Sequence, residues 1–142
     1  MQITRATEYA VRCALHLADE PAGRVVPRRE IAAARDIPGQ FLGKIAQRLA
    51  HAGILRIHQG ARGGYELIMP PTKLTLLAVV EAAEGTLVLN TCIMNPRSCQ
   101  NSGACTAHRV WEKARRQLRH SLANVTFSKL AAPQRPQGPT RR

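Results

Sequence analysis

The 142-residue chain carries 21 lysines and arginines against 9 acidic residues, a formal net charge of +12, with 44% hydrophobic residues, 4% aromatics and four cysteines. Length and hydrophobicity accommodate one ordinary domain with an appended helical segment and exclude a large two-domain enzyme. The excess of positive charge points to a polyanionic partner, nucleic acid before a membrane surface.

Thr4 to Leu17 places Ala6, Ala10, Cys13, Ala14 and Leu17 at three- and four-residue steps, the apolar stripe of an amphipathic helix. Cys13 lies inside that stripe and reads as a small buried hydrophobe. Pro21 and Gly23 break the chain, and Pro27 begins a second helix, Pro27 to Ala34, with Ile31 and Ala34 inward. In the connection Arg35-Asp36-Ile37-Pro38, Asp36 tolerates a left-handed turn, Ile37 plugs the core and Pro38 opens the next helix. That third helix, Pro38 to His51, sets Leu42, Ile45, Ala46 and Leu49 on one face and Gln40, Lys44, Gln47, Arg48 and His51 on the other. Two helices joined by a short turn, the second with long polar side chains and no outward acid, have the form of a helix-turn-helix with a recognition helix.

Ile54 to Gln59 and Tyr65 to Ile68 read as two short strands around Gly60-Ala61-Arg62-Gly63-Gly64, a flexible hairpin tip bearing one arginine. The hairpin turns the motif into a winged helix whose Arg62 can approach phosphates or a narrow minor groove. The glycines match no nucleotide-binding loop. Beyond Pro70-Pro71, Thr75 caps a helix, Leu76 to Glu84, that Gly85 ends. Residues 86–105 lose helical periodicity, and a long helix from Thr106 to Ala123 then carries Val110, Trp111, Ala114, Leu118 and Leu122 along one side. So long an amphipathic helix in a short chain implies packing against a second copy or against the winged domain. Thr126 caps a last turn reaching Ala131. The final PQRPQGPTRR holds three arginines and no apolar side chain, a disordered basic tail.

The start of the chain lacks the apolar run of a signal peptide, and no stretch approaches the roughly 18 apolar residues of a bilayer span. A cytoplasmic location is therefore expected, where thiols stay reduced. Cys92, Cys99 and Cys105 follow one another as C-x6-C-x5-C, with His108 three residues further on. A flexible loop can wrap three thiolates around one metal centre, and a helix start favours thiolate at Cys105. The wide spacings suit an iron-sulfur cluster; Cys3His zinc and redox-active or plain cysteines are the alternatives. A small thiol redox protein is a further alternative, but no acyl-transfer triad or cofactor motif is present, so no enzymatic activity is expected.

The first helix TRATEYAVRCALHLA, the segment REIAAARDIPGQFLGKIAQRLAHAGIL, the wing RIHQGARGGYELI, the three-cysteine loop and ANVTFSKLA together resemble one winged-helix family of bacterial regulators. It is the family that includes the iron-sulfur regulator IscR, the nitric-oxide sensor NsrR, the iron regulator RirA and the cysteine regulator CymR. The likeness covers about nine tenths of the chain. It implies a mainly α fold: a winged helix-turn-helix with a two-stranded wing (1–84), a cluster-binding loop (85–105), a dimerisation helix with a terminal helix (106–131), and the tail (132–142). It further implies a homodimeric transcription factor, repressor or activator, bound to a partly palindromic operator in double-stranded DNA. Cys92, Cys99 and Cys105 match the cluster ligands, and His108 matches the fourth ligand of IscR-like members. NsrR-like members take an acidic residue from the first helix of the other subunit, a position held here by Glu8 of the partner subunit. A 2Fe–2S or 4Fe–4S cluster is expected, with zinc the alternative, and redox state, iron or nitric oxide as the signal. Gln40, Lys44 and Gln47 are expected to read base edges, and Arg48 and Arg62 to hold phosphate or groove. Gly43 leaves the exposed face of the recognition helix bare where IscR has an acid.

Overall fold

The computed structural model describes residues 3–90, 95, 97, 100, 101 and 103–131. Among them the order is α1 (Arg5–Ala18), α2 (Arg28–Arg35), α3 (Gly39–His51), β1 (Leu55–His58), β2 (Gly64–Leu67), α4 (Leu76–Glu84), α5 (Thr106–Ala123) and α6 (Phe127–Ala131). This is the mainly α winged helix-turn-helix that the periodicity predicts. Cys92, Cys99 and the tail 132–142 lie outside the described residues.

Thr4 caps α1, its hydroxyl accepting from the Thr7 amide at 3.4 Å, and Glu8 complements the dipole of the first turn. Ala10, Cys13, Ala14 and Leu17 are buried, and α1 packs across α3 and α4. Burial pushes the Cys13 thiol up to about 12, as befits a side chain used for packing. Two polar residues of α1, Thr7 and His16, are buried as well.

The turn between α2 and α3 forms as its residues dictate. Asp36 is left-handed at φ 51°, its amide returns to the Ala32 carbonyl, and Ile37 enters the core at 3% exposure. Arg12 of α1 braces the turn from behind, donating to the carbonyls of Arg35 and Asp36, both at 3.4 Å. Pro27 and Pro38 sit one residue before their helices with extended ψ of 139° and 131°, as N-caps rather than first helical residues. Leu42, Ile45, Ala46 and Leu49 of α3 all face the core.

In the hairpin Leu55 pairs with Leu67 and Ile57 with Tyr65, so apolar side chains share one face. β1 is shorter than the apolar pattern suggests and β2 begins one residue earlier: the Ile54 carbonyl is taken by the Ile68 and Met69 amides at 3.1 and 3.2 Å, which closes the ladder. Val26, two residues before α2, forms an antiparallel bridge with Tyr65 through two bonds of 2.8 and 2.9 Å and anchors the wing to the helices. No local pattern announces that pairing.

Thr75 caps α4 by accepting from the Ala78 amide at 3.1 Å, and Gly85 ends it at φ 88°. Thr106–Ala123 is helical over the expected range, yet none of its residues is fully buried. Val110 and Trp111 are 64% and 45% exposed, while Ala114, Leu118 and Leu122 are half-buried. After α5 the chain turns back, with the Leu76 amide on the Val125 carbonyl and the Phe127 amide on the Leu74 carbonyl, each at 2.9 Å. Phe127 is fully buried in the core of the winged domain. Its burial contributes about 2–3 kcal/mol, enough to hold α6 on the winged domain.

Candidate nucleic-acid interface and cysteine site

The outer face of α3 presents Gln40, Lys44, Gln47, Arg48 and His51 to solvent, together with Phe41, which is 49% exposed and leans on the Tyr9 ring at 5.8 Å between centroids. A helix with no acidic side chain and this polar face has the donor set that base edges and phosphates require. Arg62 is exposed at the wing tip. Between helix and wing runs an open cleft of about 390 Å³, lined by Arg28, Arg29, Gly43, Gln47 and the hairpin. The wing approaches that closely because its glycines leave room. A Cβ on Gly64 would stand 2.1 Å from the Val26 carbonyl oxygen, and one on Gly63 would stand 2.3 Å from that of His58. At the wing's base Glu66 lies 2.7 Å from His58 Nε2 and 3.7 Å from Arg56 Nη1.

Two side chains change the expected picture of this face. Arg28, from the first turn of α2, donates through Nη2 to the Gly39 carbonyl at 2.7 Å, and its guanidinium lies over Gly43, where a Cβ would meet Nη1 at 3.5 Å. The gap at Gly43 is therefore occupied, and the cationic surface extends onto α2. Sequence reasoning did not single out Arg28 or Arg29; the small residues Gly39 and Gly43 on one side of α3 were the available signal. Arg48, expected at phosphate, directs Nη1 to the Ala83 carbonyl at 2.7 Å in the last turn of α4. Its neighbour Glu84 accepts from the hydroxyls of Thr4 and Thr7, which hold its carboxyl below the usual carboxylate range.

Cys105 is the N-cap residue of α5, a half-buried free thiol with no side-chain capping bond. Its amide bonds the Asn101 carbonyl at 2.8 Å. His108, in the first turn, keeps its Nδ1 buried without a hydrogen-bond partner among the described residues. A thiol at a helix N-terminus and an imidazole three residues on are both donor types that metals accept. The loop that ends at Cys105 is tied to α5 at its beginning too: Arg115 Nε donates to the Leu87 carbonyl at 2.9 Å, and Glu81 accepts from the Leu87 amide at 3.0 Å and pairs with Arg119. Glu8 is exposed on α1.

The family model described as an iron-dependent transcriptional regulator, Rrf2, matches residues 3–133. The chain belongs to the Rrf2 family of transcriptional regulators. Its relatives are regulators rather than enzymes. Rv1287 of Mycobacterium tuberculosis, assigned as an HTH-type regulator, is 34% identical over 92% of this chain and 81% of its own length. NsrR of Halalkalibacterium halodurans is 32% identical over 68% of this chain and 71% of its own. The oxidised form of Staphylococcus aureus CymR superposes with a TM-score of 0.73 at 22% identity, covering 94% of this chain and 98% of that one. T. potens IscR gives 0.71 at 21%, covering 92% and 85%. The last two carry the fold alone, and both are consistent with an Rrf2 winged helix. No described helix is long and apolar enough to cross a membrane.

Proposed function

We propose that this Rrf2 regulator is a cytoplasmic homodimer that binds a partly palindromic operator and reports redox state, iron or nitric oxide through an iron-sulfur cluster. The observation that carries the sensing half is the pair at the start of α5: Cys105 at the N-cap and His108, whose buried Nδ1 has no hydrogen-bond partner among the described residues. The donor set fits such a group, with Cys92, Cys99 and Cys105 as thiolates and His108, or the partner's Glu8, as the fourth ligand. When bound, the cluster supplies an iron centre reactive toward electrons, oxygen and nitric oxide.

The chain's own residues supply the rest. Arg115 and Glu81 fasten the loop's beginning at Leu87 while α5 begins at its end, so a change in the loop acts on α5 and α4 together. Arg48 links the end of α4 to α3. Such coupled elements can shift a population between DNA-competent and incompetent dimers. Exposed Val110 and Trp111 offer the apolar surface a second copy covers. Gln40, Lys44 and Gln47 read base edges, and Arg62 holds phosphate or groove.

Anaerobic purification with an absorption spectrum and iron and sulfide analysis tests the sensor. Brown protein with iron and sulfide is expected, and loss of colour in Cys105→Ala. Colourless protein with stoichiometric zinc overturns the sensor and leaves a zinc-stabilised regulator. Comparing His108→Ala with Glu8→Ala assigns the fourth ligand. For DNA, Gln40→Ala should relax sequence preference by roughly 1–3 kcal/mol; equal loss on random and operator DNA removes Gln40 from base reading. Sedimentation of Trp111→Glu should show a monomer where the parent is a dimer.

A further inference from the structure

His16, in the last turn of α1, is 9% exposed, and its Nε2 is buried with no hydrogen-bond partner among the described residues. The atom faces two carboxylates. Glu20 Oε1, one helical turn on, is 3.7 Å away, and Glu30 Oε1, in the first turn of α2, is 3.9 Å away. The three donor atoms lie within 4.8 Å of one another. Arg24, on the connecting loop, holds both carboxylates: Nη1 lies 2.5 Å from Glu20 Oε2, and the guanidinium meets Glu30 in a fork of 3.1 and 3.0 Å.

An arginine satisfies the two acids but leaves the imidazole nitrogen desolvated and without a hydrogen bond among the described residues, which is costly for a buried polar atom. A single cation satisfies all three donors. We propose that His16, Glu20 and Glu30 form a binding site for a divalent first-row metal ion, separate from the cysteine loop, that clamps the end of α1 to the start of α2. Metal bonds of about 2.0–2.2 Å place neighbouring donors about 3.4 Å apart, so the observed 3.7 and 3.9 Å need only a small contraction once Arg24 swings outward. One imidazole and two carboxylates suit manganese, iron or zinc. Arg35 Nε donates to His16 Nδ1 at 3.4 Å and Nη2 to Asp19 at 2.9 Å. A metal-bound ring carries its proton on Nδ1, so loading releases the longer of these contacts and keeps the shorter.

The full-length, metal-free chain titrated with Mn²⁺, with free ion read by electron paramagnetic resonance, tests the site, because this hard ion discriminates against thiolate donors. One ion per chain is expected, weakened at least tenfold by His16→Gln and by Glu30→Gln. Glu30 is on the surface, so its variant keeps the test independent of the fold, which circular dichroism checks in each case. Arg24→Ala, which removes the competing guanidinium, should tighten uptake. Binding unchanged in both His16→Gln and Glu30→Gln, or no binding in either the parent or Arg24→Ala, overturns the proposal.

Discussion

Arg48 of the recognition helix and Ala83 of α4 are joined by a 2.7 Å bond from guanidinium to carbonyl, so the residue expected to grip DNA also fastens α3 to the helix that leads into the cysteine loop. The charged donor meets one of the carbonyls left without an intrahelical partner at the end of α4. Arg48→Ala should lower stability by about 1.5 kcal/mol in urea titrations, the lower end for a charge-assisted bond because the side chain is exposed. Arg62, exposed at the wing tip, makes no such bond among the described residues. Its alanine variant should leave stability within about 0.5 kcal/mol and reduce the salt slope of DNA binding by about 1. Fluorescence anisotropy on operator and random DNA at several salt concentrations reads both.

Gly43 and Arg28 give a second contrast. Gly43 is helical, and a Cβ there touches only the mobile end of Arg28, at 3.5 Å. Gly43→Ala should therefore stabilise by about 0.5–1 kcal/mol, the ordinary cost of glycine inside a helix. Gly43→Glu would pair with Arg28 and bring a carboxylate to the DNA face. Weaker binding with unimpaired thermal stability is the expected result, measured by melting and anisotropy on the same samples.

The wing predicts a steeper difference between two glycines of one turn. Gly60, at φ 99°, has open space beyond its Cα, so Gly60→Ala should cost about 1–2 kcal/mol from the left-handed backbone alone. Gly64 is pressed against the Val26 backbone, which cannot yield without losing the bridge to Tyr65. Gly64→Ala should cost about 3 kcal/mol or more. Denaturant midpoints of the two variants, with DNA affinity as the functional readout, check the order.

What was legible in the sequence is what the chain encodes by local period and capping. The stripe of α3, the left-handed Asp36, the Thr75 cap and the full length of α5 follow from residues a turn apart. Contacts between distant segments were not legible: Val26 is one residue with no alternation around it, and Arg28 meets α3 only after the turn has folded. Phe127 looked like the start of a last turn, yet it completes the core because α5 returns the chain to Leu74. His16 lies beside the α1 stripe, at the edge where burial depends on how α2 docks. The cysteine loop has no period to read, so only residue type marks its donors, and the structure adds a His108 nitrogen that is buried with no hydrogen-bond partner among the described residues.

Cys13 separates packing from chemistry among the four cysteines. Its folded value of about 12 stands above the ordinary 9.0 because burial disfavours the thiolate. For a group raised on folding, the associated stability is fully present below pH 9.0 and declines as pH climbs toward 12. Near pH 8 the native thiol is therefore neutral, and alkylation needs global opening. Peptide mass mapping after iodoacetamide treatment of the metal-free chain should find Cys13 unmodified in native buffer and modified in urea at the rate of unfolding. Cys13→Ser, which places a hydroxyl in the same apolar site, should lower stability by about 1–3 kcal/mol. Rapid native labelling of Cys13 would show that the α1 face opens locally, a different basis for a redox response from one built on the loop.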